Sequence, residues 1–204
     1  MKSEAEKWDE KYSIDEYLYT KTANRFVVEY CEPLKGQTAI DLAGGEGRNT
    51  IWLAKQGFQT ENVDFSQVAL DKCLAFAREE QVEEKVLVTC ADATTFTPKL
   101  GAVDLGVIAY LQIPERELKL AVARLAEFVA LGGHLVGVWH SRDNLAGKYY
   151  GQQKPDLLPN RETMLEALAD SGLEVLVLDN QDGQIQTREG LKPSLTLVLV
   201  ARRA

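Results

Sequence analysis

At 204 residues, with 45% hydrophobic and 26% charged residues and only 6 prolines, the chain has the makeup of one folded globule and is short for two separately cored domains. A formal net charge of −8 excludes a protein whose affinity comes mainly from neutralising phosphates, so neither nucleic acid nor an anionic membrane is the expected partner. Cys31, Cys73 and Cys90 form no CxxC pair, and the opening MKSEAEKWDEKY carries no apolar stretch, which sets the expectation of a reducing, cytoplasmic setting without a metal site.

Residues 1–37 hold Trp8, Tyr12, Tyr17, Tyr19, Phe26 and Tyr30 at loosely helical spacing. They predict one or two helices laid over the sheet, a cap on the remaining 38–204 of a single domain spanning 1–204. From residue 38 onward, short β-branched runs alternate with helical patterns, the signature of βαβ units and a mostly parallel, doubly wound α/β sheet. Strands are expected near 38–42, 58–63, 86–90, 103–109, 134–140, 173–179 and 195–201. Helices are expected at 48–56, closed by Gly57; at 66–80, capped by Ser66; at 115–130, closed by Gly132 and Gly133; and at 161–171, closed by Gly172. In the second strand, Glu61 and Asn62 stand where a buried parallel strand prefers apolar residues. The stretch 141–160 has no period and is the longest irregular segment, the kind of loop that often carries function.

The first strand and turn read TAIDLAGGEGRNTIWLA: a buried strand, an acid, a glycine-rich turn, then a helix. Gly44, Gly45 and Gly47 allow φ > 0 and a close approach of ligand to backbone. No Gly-Lys-Ser/Thr ending follows, which removes NTPase chemistry. Read from Gly45, a dinucleotide fingerprint would place Thr50 at its third glycine, which makes an NAD-dependent dehydrogenase the weaker option. Asp41 ends the first strand, Asp64 the second, and Asp92 follows the third. Asp64 is placed to accept two ribose hydroxyls and Asp92 the exocyclic amine of a purine. Each acid alone could equally be a helix cap or turn residue; three at successive strand ends point together to a ligand crevice.

The run DLAGGEG resembles the Asp-x-Gly-x-Gly-x-Gly motif of class I S-adenosylmethionine-dependent methyltransferases, with Ala43 in place of the first glycine. The resemblance implies a Rossmann-like seven-stranded sheet with an antiparallel last strand and S-adenosylmethionine as cofactor. It also implies a binding set of Asp41, Ala43, Gly44, Gly45, Gly47, Arg48, Asn49, Asp64, Phe65, Ser66, Asp92, Ala93 and Tyr110. GRN at 47–49, WDEKY at 8–12 and KPDLLPNRETM at 154–164 are similar to the small tellurite-resistance and thiopurine-methyltransferase-like branch. Enzymes that methylate nucleic-acid bases carry Asn/Asp-Pro-Pro-aromatic after strand four; Ala109-Tyr110-Leu111-Gln112 does not match it.

The expected reaction is therefore transfer of a methyl group to a small molecule: a thiol, a chalcogen oxyanion, a hydroxyl or an amine. The rival expectation is a protein that binds the cofactor and transfers nothing. Holding acceptor and methyl in line supplies most of the catalysis. A general base matters more for a hydroxyl or amine, and the candidates are His140, Tyr12, Tyr110 and Tyr149. His134 and His140 lie on one predicted strand, too far apart to share an ion.

Overall fold

Seven strands form one sheet: β1 (Thr38–Leu42), β2 (Gln59–Asp64), β3 (Val86–Cys90), β4 (Val103–Ala109), β5 (Val129–His140), β6 (Leu173–Thr187) and β7 (Gly190–Arg203). The computed structural model describes residues 2–147, 149–187 and 189–204, so residue 148 of the irregular 141–160 stretch lies outside it. The strand order is β3-β2-β1-β4-β5-β7-β6. β1 through β5 pair in parallel, and β7 runs antiparallel between β5 and β6. The chain winds outward from β1 to β3 and then returns to place β4 on the other flank of β1. The order therefore reverses between β1 and β4, where open α/β sheets hold ligands outside the strands' carboxyl ends.

Among the described residues six α-helices cover the sheet: α1 (Glu4–Tyr12), α2 (Arg25–Cys31), α3 (Arg48–Lys55), α4 (Gln67–Glu79), α5 (Glu115–Glu127) and α6 (Arg161–Leu168). The pleat of β1 separates two cores. Ile40 and Leu42 point to the face covered by α5 and α6, with Leu118, Leu125 and Met164, and Ala39 points to the face of α2, with Phe26, Val27 and Leu53. In β5 the same alternation sends Leu135 and Trp139 one way and Val136 and Val138 the other. Asp41 and His140, in phase with Ala39 and with Val138, thus belong to the face of α2. Among the described residues no helix is long and apolar enough to cross a membrane.

Several expected boundaries change. The helix expected at 115–130 stops at Glu127, because β5 starts at Val129; Gly132 and Gly133 lie inside that strand rather than closing a helix. Only Gly132 needs a left-handed backbone (φ 80°), and the ladder to β4 shifts register between Val103 and Leu105 there: the glycine pair makes a bulge. The helix expected at 161–171 ends at Leu168. The strands expected at 173–179 and 195–201 are much longer, forming a hairpin whose ladder runs to the Thr187–Gly190 pair. β5 leaves that hairpin at His140–Thr196, so residues 182–187 and 190–195 project as a two-stranded ribbon past the carboxyl end of β5.

β2 forms despite Glu61 and Asn62, both fully buried. The Glu61 carboxylate accepts from Thr89 Oγ1 (2.6 Å) and from the backbone N–H groups of Lys99 and Leu100 (3.0 Å each). It ties the segment after β3 to the sheet, and a buried charge with three donors is tolerated where a bare one is not. Glu61→Gln keeps the shape but turns one acceptor oxygen into a donor facing donors. It is expected to lower unfolding stability by about 1–3 kcal/mol, measurable as a reduced urea midpoint.

Candidate active site

The glycine turn stands between β1 and α3. Ala43 (φ 56°), Gly45 (φ 54°) and Gly47 (φ 87°) take left-handed backbone. At Ala43 a Cβ crowds the carbonyl in this region, so the conformation is one that favours glycine. Gly47 is the N-cap of α3 and supplies no side-chain acceptor to the first turn of the helix.

Beneath the turn lies a buried polar layer. Thr50 Oγ1 donates to Asp41 Oδ2 (2.7 Å), and Asn62 Nδ2 donates to the Gly45 carbonyl (3.0 Å). Asp41 Oδ1 and Asn62 Oδ1 are buried without a donor. A Cβ on Gly44 would lie 2.6 Å from Asn62 Oδ1 and 2.7 Å from Asp41 Oδ2, so the turn rests directly on these acceptors. Burial pushes the Asp41 carboxyl up to about 6, with the Thr50 hydrogen bonds pulling the other way. Thr50 is thus occupied as a partner of Asp41, in the place where a dinucleotide fold needs a third glycine.

At the end of β2, Asp64 accepts from Gly45 N (2.9 Å) through Oδ2 and from Ser66 N (2.9 Å) through Oδ1. Burial raises its pKa against these amides. Each oxygen retains acceptor capacity, which is what two ribose hydroxyls require. Ser66 caps α4 by accepting from Ala69 N (3.2 Å), as the sequence suggests. Phe65 and Ala93 are half-buried beside this end of the sheet. Asp92 is exposed, and its Oδ1 closes a turn by accepting from Thr94 N (2.7 Å) and Thr94 Oγ1 (2.5 Å).

The N-terminal segment closes over these groups. Asp9 Oδ1 accepts from Ser66 Oγ (2.6 Å) and Val68 N (3.3 Å), joining α1 to the start of α4. Glu46, within the glycine turn, accepts from Leu18 N (3.1 Å) and Tyr19 N (3.3 Å) and pairs with Lys72 (3.0 Å). Asn49 Oδ1 accepts from Asn24 N (2.9 Å). Tyr12 is buried, and a Cβ on Gly45 would lie 2.8 Å from its hydroxyl. Burial and the nearby Asp64 charge hold that phenol in its neutral form. Arg48 is half-buried, has no hydrogen-bond or ion-pair partner among the described residues, and sits 6.0 Å from the Tyr110 ring centre. Tyr17 instead packs edge-on against Phe76, and Tyr19 and Tyr150 are exposed.

Across the crevice, Tyr110 follows β4 with φ 59°, its N–H bonded to the Val138 carbonyl (2.7 Å). Its ring meets His140, centroid to centroid 4.8 Å, at the end of β5. Burial lowers the His140 pKa. The 141–160 segment is held to the ribbon through Ser141 N and Asn144 Nδ2 to the Leu195 carbonyl and through Tyr150 N to the Pro193 carbonyl. Tyr149 is half-buried in that segment, with its ring beside Gly147. The structure therefore brings Asp41, the turn, Asp64 and Tyr12 to one end of the crevice and Tyr110 and His140 to the other. Sequence reasoning missed Asp9, Glu46 and Asn62; only Asn62 gave a signal, as a polar residue within a parallel strand. Among the described residues no cluster of His, Cys, Asp or Glu could hold a metal ion.

Residues 39–133 match the family model for a methyltransferase domain. No curated protein matches the sequence. The fold is similar to TehB from Haemophilus influenzae (TM-score 0.74, 15% identity), with 92% of this chain spanning 65% of that one. It is also similar to magnesium protoporphyrin IX methyltransferase from Synechocystis PCC 6803 with bound SAM (TM-score 0.68, 15% identity, 100% of this chain and 99% of that one). A third likeness is to an S-adenosylmethionine-dependent methyltransferase from Clostridium acetobutylicum ATCC 824 (TM-score 0.67, 16% identity, 97% and 96%). Residues 39–133 are thus similar to a methyltransferase domain, and the sheet order and fold resemble those of S-adenosylmethionine-dependent methyltransferases of known structure.

Proposed function

We propose that the protein transfers the cofactor's methyl group to a small-molecule acceptor held between the N-terminal cap and the 141–160 segment. The observation that carries this reading is the division of the crevice. One end has the acids and the glycine turn, and the other has two facing rings, Tyr110 and His140, walled by a ribbon and a loop. Asp64 would hold the ribose, Asp92 with Ala93 the adenine, and the turn with Asp41, Arg48 and Asn49 the methionine portion. The orphaned Asp41 Oδ1 and the Arg48 cation at the start of α3 fit a ligand end that carries both an ammonium and a carboxylate. Bound S-adenosylmethionine supplies a methyl group already activated by its sulfonium charge.

The chain's own contribution is alignment and exclusion of water. α1 and residues 13–24 form the cap, fastened by Asp9, Glu46 and Asn49, and the Tyr12 hydroxyl covers Gly45. The TehB-like fold and the GRN and WDEKY motifs support the tellurite-resistance and thiopurine-methyltransferase-like branch, hence thiols and chalcogen oxyanions among the acceptors to try. Thermal melting distinguishes the cofactor: S-adenosylhomocysteine should raise the midpoint by several degrees at about 100 times its Kd, equivalent to about 2.7 kcal/mol, and NADH should not. A rise with NADH alone would overturn the reading.

A further inference from the structure

The acceptor end of the crevice contains two buried polar atoms that the fold leaves without partners: His140 Nδ1 and Gln112 Nε2. They belong to one closed circuit. The Tyr110 ring lies on the His140 ring; Gln112 follows two residues after Tyr110; Gln152 Nε2 donates to Gln112 Oε1 (3.4 Å). Gly151, beside Gln152, returns to the imidazole, where a Cβ would lie 3.0 Å from His140 Nδ1. Gly151 has φ 119°, a conformation that side chains resist, so the backbone reaches this nitrogen as only glycine can. Native folds leave few buried polar atoms unpaired. Two in one circuit, at the carboxyl ends of β4 and β5, mark where a ligand supplies the missing partners.

Resting on the methyl-transfer reading above, we infer that His140 is the general base for an acceptor bearing a phenolic or enolic hydroxyl, whose second oxygen takes the Gln112 amide N–H. In the step, His140 Nδ1 accepts the hydroxyl proton while the acceptor oxygen bonds to the methyl carbon. The carbon–sulfur bond breaks with its electron pair kept by sulfur, and the imidazolium then releases its proton to water. The chemistry of the circuit selects this class. A chalcogen oxyanion or thiolate needs no base, so a proton-accepting imidazole at this place would add nothing to its reaction. An aliphatic alcohol is too weak an acid for an imidazole to assist effectively, whereas a phenol, ionising near 10, is within its reach.

Burial supports this role by lowering the His140 pKa, keeping the ring neutral and proton-accepting at neutral pH. Tyr110 is the titratable group in contact with it, and Arg48, 6.0 Å from the Tyr110 ring centre, is the charged group facing the pair; from the 141–160 segment and β7, Gly151 and Thr196 face it without charge.

The chain has 2 histidines, so their imidazole signals can be followed individually by NMR, with His140→Gln giving the assignment. With saturating S-adenosylhomocysteine, catechol is the probe. The expected result is that catechol shifts the His140 signal and its titration midpoint and leaves His134 unmoved. Methylation of catechol should fall about 10²–10⁴-fold in His140→Gln, with loss of the acid limb of the pH profile, while calorimetric binding of S-adenosylhomocysteine stays as in wild type. Gly151→Ala should abolish the catechol shift and likewise keep cofactor binding. If wild type binds S-adenosylhomocysteine but catechol leaves His140 unmoved, or if His140→Gln methylates catechol at the wild-type rate, the inference is overturned and the methyl-transfer reading stands. If S-adenosylhomocysteine itself does not bind, both fall.

Discussion

Replacing Asp64 with alanine is expected to weaken S-adenosylhomocysteine binding at least tenfold in calorimetry. On the proposed placement, two ribose hydroxyls lose their acceptor, and an unmet donor costs about 1–3 kcal/mol, with 1.4 kcal/mol for each factor of ten. The same substitution removes the acceptor of Gly45 N and of Ser66 N. The glycine turn and the start of α4 therefore lose their common anchor, and affinity should fall further than the ribose contact alone requires. Asp64→Asn keeps one acceptor oxygen and should fall between. Unchanged affinity in a folded Asp64→Ala protein would remove Asp64 from the site.

Gly47→Ala is expected to cause a large loss of stability from a single methyl group. The new Cβ would lie 2.3 Å from Cys73 Sγ and 3.0 Å from Cys73 Cβ, and φ at Gly47 is 87°. Left-handed backbone costs a non-glycine residue about 1–2 kcal/mol, and overpacking a filled core about 1–3 kcal/mol more. Together these predict a thermal midpoint lower by about 5–15 °C for a chain of this size. Adding Cys73→Ala removes the sulfur and should recover part of the overpacking while leaving the backbone strain. A double variant no more stable than Gly47→Ala would show that Cys73 is not what Gly47 avoids. Burial pushes the Cys73 thiol up to about 12, so it acts here as a small apolar filler rather than a reactive group.

The parallel half of the fold was legible because its signals are local: β-branched runs, Ser66 as a cap, Gly57 as a stop. The departures have physical causes. Val129 to Gly133 carries no period that separates a helix end from a strand start, and the boundary follows from pairing with Val103. The ribbon at 182–195 has polar residues such as Gln184 and Ser194 in both strands, because it leaves the sheet and meets the 141–160 segment instead of a hydrophobic core. Asp41, Asp64 and the glycines stood out by their position at strand ends. Asp9 and Glu46 did not, since a carboxylate that fastens a distant backbone looks like any surface acid until the chain folds. Among the N-terminal aromatics, spacing alone could not tell Tyr12, buried above Gly45, from Tyr19, which is 54% exposed.

Methyl transfer to a small molecule can be measured directly. Purified protein is incubated with methyl-labelled S-adenosylmethionine and a cell extract, then passed through an ultrafiltration membrane that separates metabolites from macromolecules. A new labelled compound is expected in the filtrate, formed with one equivalent of S-adenosylhomocysteine and absent with Asp64→Ala. Label found only in retained protein or nucleic acid, or no S-adenosylhomocysteine at all, would contradict it.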